Sequence, residues 1–344
     1  MNLRDAFAHQ SLSCAALGSP FMAQLMELLA AHWPDGPLAD HLTQFEGDLG
    51  PAGASLPLRV AGGLHALVLS GRDPDLAALY PPAQTDETAL RDRVLTAFET
   101  HADFLIQWTK TAPQTNEVRR SAALMAGACV AADHAKRPIV LSELGASGGL
   151  NLMWDHYALD LPCGVLSAPD PVLRLTPEWS GPVPKGPLPR IAARAGVDLS
   201  PLDPTQAKDM LRLTAYLWPD QPERLALTRA AAAVMTALID RGDAIDWLEQ
   251  RLHDVPEGHL HLIQHTVAWQ YFPPHAQARG QALIEAAGAL ATENRPLAWL
   301  SMESDGDTTG KIGAAVTLRF WPGDLRLSLG RADFHGRWIQ WTQG

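Results

Sequence analysis

Apolar positions recur at spacings of three and four through the first third of the chain. Leu95, Phe98, Ala102, Leu105 and Ile106 form one such stripe. Residues 21–33, from Phe21 to Trp33, read the same way until Pro34-Asp35-Gly36 stops them. Residues 118–135 are rich in Ala, Leu and Met, all good helix formers. Breakers at Gly50-Pro51, Asp73-Pro74 and Pro81-Pro82 cut this region into short helices. Residues 64–70 fit a helix or a strand, and no strand series is visible before residue 138.

At Pro138 the texture changes. Ile139-Val140-Leu141 reads as a strand buried on both faces, followed by a glycine-rich turn and a helical stretch. Further strand candidates are Tyr157–Leu161, Val172–Leu175, His259–Thr266, Leu297–Glu303, Ala314–Phe320, Leu325–Leu329 and Arg337–Trp341. Helical patterns at about 205–217, 222–252 and 275–291 separate several of them. Strands alternating with helices imply a mostly parallel sheet. Pro322-Gly323-Asp324 turns the last strands back into an antiparallel end. Residues 177–204 contain seven Pro and read as an irregular insertion. The expected architecture is α/β: a helical region over 1–137, then a Rossmann-type sheet of about seven strands over 138–344.

Charge and cysteine content narrow the function. The chain of 344 residues carries 27 basic and 38 acidic side chains, net −11, which disfavours binding to a nucleic-acid backbone. Cys14, Cys129 and Cys163 are scattered and include no CxxC, as in a reducing compartment. No apolar run is long enough to span a membrane and no leader pattern is visible, so a cytoplasmic protein is expected. Eleven Trp against eight Phe and four Tyr is an unusual balance. Trp154, Trp218 and Trp269 adjoin polar motifs, whereas Trp33, Trp108 and Trp247 fall on helical stripes.

The sharpest chemical feature is Glu143-Leu-Gly145-Ala-Ser147-Gly-Gly149 after the first strand. Glycines there let backbone approach a ligand and aim helix N–H groups at it. Two chemistries use this layout. An acid followed by a glycine series at the end of the first strand resembles the S-adenosylmethionine site of class I methyltransferases. That resemblance implies Glu143 at the methionine amino end, with Gly145, Ser147, Gly149 and Asn151 around the cofactor. It also implies a ribose-binding acid at the end of the second strand, for which Asp160 is the nearest choice. Gly145-Ala-Ser147-Gly-Gly149 also matches the nucleophile elbow of α/β-hydrolases, with Asp305 or Asp307 and His335 completing a triad. The elbow follows several strands in hydrolases, whereas here the preceding region reads as helical. A third reading is a tight turn on a methyltransferase fold used only for binding. The stretch Gly306–Ile312 is one residue short of a P-loop and lacks its Ser/Thr.

Gln114-Thr-Asn-Glu117 with Arg119-Arg120, Glu143 through Leu152, Arg194-Ala-Gly-Val-Asp198, Trp218-Pro-Asp-Gln221 and His335-Gly-Arg-Trp338 together resemble an uncharacterised bacterial family, domain of unknown function 2332. The resemblance covers nearly the whole chain. It implies a methyltransferase-like sheet behind a helical N-terminal region.

Outside the turn, Gln114, Asn116, Glu117, Arg119 and Arg120 read as a helix entry or as a polar cluster for an anionic substrate group. Asp198 with Arg194 reads as a loop-fixing pair or a substrate contact. His259, His261 and His265 share parity on one strand, but no further ligand stands at zinc spacing, so no metal is expected. His265 ends that strand and is the candidate general base. The expected activity is methyl transfer from S-adenosylmethionine to a small molecule.

Overall fold

The computed structural model describes residues 2–50, 53–83, 86–254, 256–306 and 312–343. Asp307, and the rest of the P-loop-like stretch from 307 to 311, lie outside them. The chain forms two compact units, Met1–Thr115 with Gln206–Ala226 and Asn116–Thr205 with Leu227–Gly344. This differs from a single break near residue 138. The helix at Ser121–Ala135 belongs with the sheet, and the stretch 206–226 belongs with the helices.

The first unit is helical. Its longer helices are Leu3–Ala16, Pro20–Ala31, Leu56–Leu69, Glu87–Thr100, Ala102–Thr109 and Ala207–Ala215. Asn2, Ser19, Asp73 and Asp86 cap helix starts by accepting amide hydrogens two or three positions inside. Residues 64–69 are helical, and the stripe from Leu95 to Ile106 breaks at His101 into two helices. Phe7, Leu25, Leu29, Leu64, Leu67 and Leu90 are fully buried in one core. Asp220, from the Trp218-Pro-Asp-Gln segment, accepts from Ser19 Oγ at 2.5 Å and from the Phe21 amide at 3.0 Å. That segment therefore ties helices together.

The second unit holds twelve strands among the described residues: β1 Ile139–Leu144, β2 Tyr157–Leu161, β3 Gly164–Ser167, β4 Leu173–Leu175, β5 Glu178–Ser180, β6 Ile191–Asp198, β7 Ile239–Arg241, β8 Leu260–Thr266, β9 Leu297–Glu303, β10 Ala314–Trp321, β11 Leu325–Ala332 and β12 Trp338–Trp341. Nine form one sheet in the order β5-β12-β11-β10-β9-β8-β1-β6-β7. The run β7-β6-β1-β8-β9 is parallel, and β9-β10-β11-β12 is antiparallel. The strands β3-β2-β4 form a separate small sheet.

Burial follows from position. Every residue of β1 and β8 is buried, as central parallel strands require. The helix Ser121–Ala135 covers one face, where a Cβ on Gly127 would lie 2.5 Å from Leu300. Leu248 and Ile284, from the helices Ala244–Arg251 and Pro274–Ala289, pack with Leu144, Val197, Ile263 and Trp321 in a separate core cluster. Two sequence expectations change. The strand β6 lies inside the stretch read as an irregular insertion. Residues 222–252 are not one helix but a helix, the short strand β7 and a second helix.

Candidate functional site

Strand order locates the site. From β1 the chain fills one side of the sheet with β6 and β7, then crosses to add β8 and β9 on the other. The direction of winding reverses between β1 and β8, and ligands of open α/β sheets bind beyond the carboxyl ends of strands at such a point. The turn 145–149 follows β1 there, and residues 267–271 follow β8.

Gly145, Ser147 and Gly149 all have positive φ, at 69°, 53° and 74°. A Cβ on Gly145 would lie 2.6 Å from that of Ala268, so the two turns touch. A Cβ on Gly149 would lie 2.4 Å from Met235 Cε and 2.7 Å from Ile239 Cδ1. Gly145→Ala is therefore expected to destabilise by ~2–4 kcal/mol, part from φ and part from the clash. Adding Ala268→Gly should recover only the clash. Thermal unfolding of the single and double variants separates the two parts, and full rescue would exclude the φ contribution.

Four of the turn's five amides are spent inside the protein, contrary to the expectation of free helix N–H groups. Those of Gly145 and Ala146 donate to Val197 O at 3.0 Å each. That of Ser147 donates to Asp198 Oδ2 at 2.9 Å, and that of Gly149 to Ala146 O at 2.7 Å. Leu150 N donates to Asn116 Oδ1 at 2.8 Å. The helical stretch beyond is a short 3-10 helix, Leu150–His156. Beside the turn stands side-chain chemistry for a ligand. Glu143 is 2% exposed and its Oε2 has no hydrogen-bond partner among the described residues, and Ser147 Oγ is likewise buried without one among them. Burial pushes the Glu143 carboxyl up to about 8, with Asp198 adding to the rise and Gln264 and Arg120 opposing it.

The other sequence-derived residues divide by position. Asp160 lies on β2 of the small sheet and pairs with Arg174. The second strand of the main sheet in chain order is β6, which ends on Asp198, whereas the strand that carries Asp160 belongs to the small sheet. Asp198 Oδ1 also accepts from Ser200 N at 2.8 Å. Arg194 grips Asp155 with two hydrogen bonds of 2.6 and 2.7 Å and is a fixing pair, though with a different acid than expected. Asn151 accepts from Ser121 Oγ at 2.8 Å and pins the start of the helix 121–135. Glu117 is buried and bonds Arg119 at 3.2 Å. Arg120 donates to Phe334 O at 2.8 Å and reaches Thr266 O at 3.5 Å. Asn116 and Arg120 thus join the site, whereas Gln114 belongs to the helical unit.

His265 is held too fully to act as a free base. Its Nδ1 lies 2.7 Å from Glu303 Oε1, and its Nε2 accepts from Trp299 Nε1 at 2.8 Å. With Trp299 as donor, Nε2 must be the acceptor and Nδ1 carries the proton. Both nitrogens are occupied, and the ring stacks on Trp269 at 5.1 Å. His259 and His261 bond Glu257 O and Ser142 Oγ instead, so the three histidines have separate partners. Glu303 and Trp299 carry this cluster and were not singled out from the sequence; an acid ending a strand was the one available signal. Glu303 Oε1 also accepts from the amides of Ala268 and Trp269 at 3.0 and 3.1 Å. Burial would raise its carboxyl, but His265 and these two amides outweigh burial and hold it below the ordinary carboxylate range. These bonds clamp a loop in which Val267 has φ 50°, a costly conformation for a β-branched residue.

The hydrolase triad does not assemble among the described residues. A serine nucleophile needs its base within hydrogen-bond reach, and Ser147 Oγ has no partner. Asp305 pairs with Arg331 at 2.8 Å.

A family model described as "Uncharacterized protein conserved in bacteria (DUF2332)" matches residues 4–341. The chain belongs to this family. No curated protein matches it. Among solved structures, the bifunctional kinase-methyltransferase WbdD is similar at 12% identity with a TM-score of 0.24, over 56% of this chain and 30% of that one. The chain thus spans less than a third of that protein's length. No helix among the described residues of this DUF2332 chain is long and apolar enough to cross a membrane.

Proposed function

We propose that this DUF2332 protein binds S-adenosylmethionine at the ends of β1, β6 and β8 and transfers its methyl group to a small molecule. One observation carries the reading: a buried carboxyl, Glu143, with an oxygen lacking a hydrogen-bond partner among the described residues, at the point where the sheet's winding reverses. An unpaired buried acceptor is costly, and a ligand ammonium would satisfy it. Ser147 Oγ would supply a second hydrogen bond, and Asp198 stands where the resemblance implies a ribose acid. The cofactor, when bound, supplies an electrophilic methyl group. The protein's part is alignment of the acceptor and exclusion of water. Arg119 and Arg120 are the candidates to orient an anionic acceptor. His265 acts as a positioning residue, through Glu303 and Trp299.

A second reading, binding without methyl transfer, is favoured by Ala268, Met235 and Ile239 lying against the glycines. Isothermal titration with S-adenosylmethionine and S-adenosylhomocysteine tests the shared claim. Binding is expected to weaken at least about tenfold in Glu143→Gln, the cost of losing a charged pair. It should tighten as pH rises from about 6 toward 8, because Glu143 must shed its proton to meet an ammonium. No heat with either compound on folded protein sinks the cofactor claim. Binding without methylated product in a screen of small nucleophiles selects the second reading.

A further inference from the structure

The face of the sheet formed by β9, β10 and β11 carries a groove of about 320 Å³. That lies within the range of small-molecule sites. Its lining is ordered by strand register. Trp299 pairs across to Arg319, and Arg319 to Arg326, giving one row. Ser301 pairs to Thr317, and Thr317 to Ser328, giving the next. An indole and two guanidinium groups therefore stand beside three hydroxyls.

Each row is held in place. Trp299 spends its one donor on His265, so what it offers the groove is ring surface. It also packs on Trp269 at 5.4 Å. Ser301 Oγ and Thr317 Oγ1 are 2.7 Å apart, a bond that uses one hydroxyl hydrogen and leaves the other. Arg319 lies over Trp321 at 4.6 Å and is bound by Asp324 and Glu285. Arg326 donates to Asp324 at 3.0 Å.

The charges decide the class of ligand. Two guanidinium groups meet two carboxylates, so the groove has no net charge to offer an anion. An anionic ligand that paired with Arg319 would have to displace Asp324 or Glu285 from it. A neutral ligand need displace nothing. It would use the remaining N–H groups and hydroxyls as hydrogen-bond partners and the indole as an apolar platform. We propose that this groove binds a neutral polyhydroxylated ring, a saccharide, with its C–H face on Trp299 and its hydroxyls on the Ser301–Thr317–Ser328 row. The proposal is independent of the methyl-transfer reading.

Saturation-transfer NMR on the full chain tests it. The probes are the methyl glycosides of glucose, galactose and mannose, with glucuronate and inorganic phosphate as charged comparators. At least one neutral glycoside should receive saturation at its ring C–H protons and bind more tightly than either anion. The double variant Ser301→Ala/Thr317→Val should weaken that glycoside about tenfold with a nearly unchanged melting temperature, since Thr317 is exposed, Ser301 is half-buried, and both partners of their mutual bond are removed together. Trp299→Leu should abolish binding, with circular dichroism confirming the fold. No transfer to any neutral glycoside, tighter binding of phosphate or glucuronate, or undiminished transfer in the Ser301/Thr317 variant overturns the proposal.

Discussion

Replacing Glu143 with Gln is expected to stabilise the ligand-free protein at and above about pH 8 and to flatten its stability curve below that. The native carboxyl titrates near 8 and the unfolded one near 4.5, mainly because burial disfavours the anion. The native state therefore holds more protons than the unfolded state across that window. Stability is greatest below about 4.5 and is lost as pH rises through about 8. The loss is on the order of 5 kcal/mol for the wild type. The Gln variant has no such proton to lose. Urea unfolding at several pH values checks this, and parallel curves for the two proteins would refute it. Saturating S-adenosylmethionine should reverse the order at high pH, because only the carboxylate can pair with its ammonium.

The Glu303→Ala variant should lose ~3–5 kcal/mol, the scale of a buried charged partner removed from its donors. Four donors lose their acceptor together: His265 Nδ1 and the amides of Ala268, Trp269 and Gln270. The strained Val267 then loses its clamp, and the loop after β8 should relax. Trp269 and Trp299 flank His265, so their fluorescence should shift along with the denaturation midpoint. Glu303→Gln keeps one acceptor oxygen and should cost roughly half as much. A loss below ~1 kcal/mol in the Ala variant would mean that water replaces the carboxylate.

Legibility differed by element. β1 was readable because a central parallel strand is a continuous apolar run. β6 was not, because Ile191-Ala-Ala-Arg-Ala-Gly-Val-Asp198 has few β-branched residues and is only partly buried. The neighbouring prolines then made the whole stretch read as loop. Missing β6 moved the expected ribose acid to Asp160, on a strand that belongs to another sheet. β7, three residues long, vanished inside a helical pattern for lack of length. The positive-φ turn was readable because only glycine adopts such backbone freely.

Local chemistry along the chain determined the helices of the first unit, the change to alternating strands, the acid–glycine turn and the net negative charge. Those depend on residues a few positions apart. The tertiary structure alone decided which turns meet, which amides are already spent and which acid is left unpaired. His265 and Glu303 are 38 residues apart, and Arg120 and Thr266 are 146 apart. Pairings at such separations follow from strand order and burial, which no local pattern encodes. That is why His265 read from sequence as a free base and stands in the fold as a fixed one.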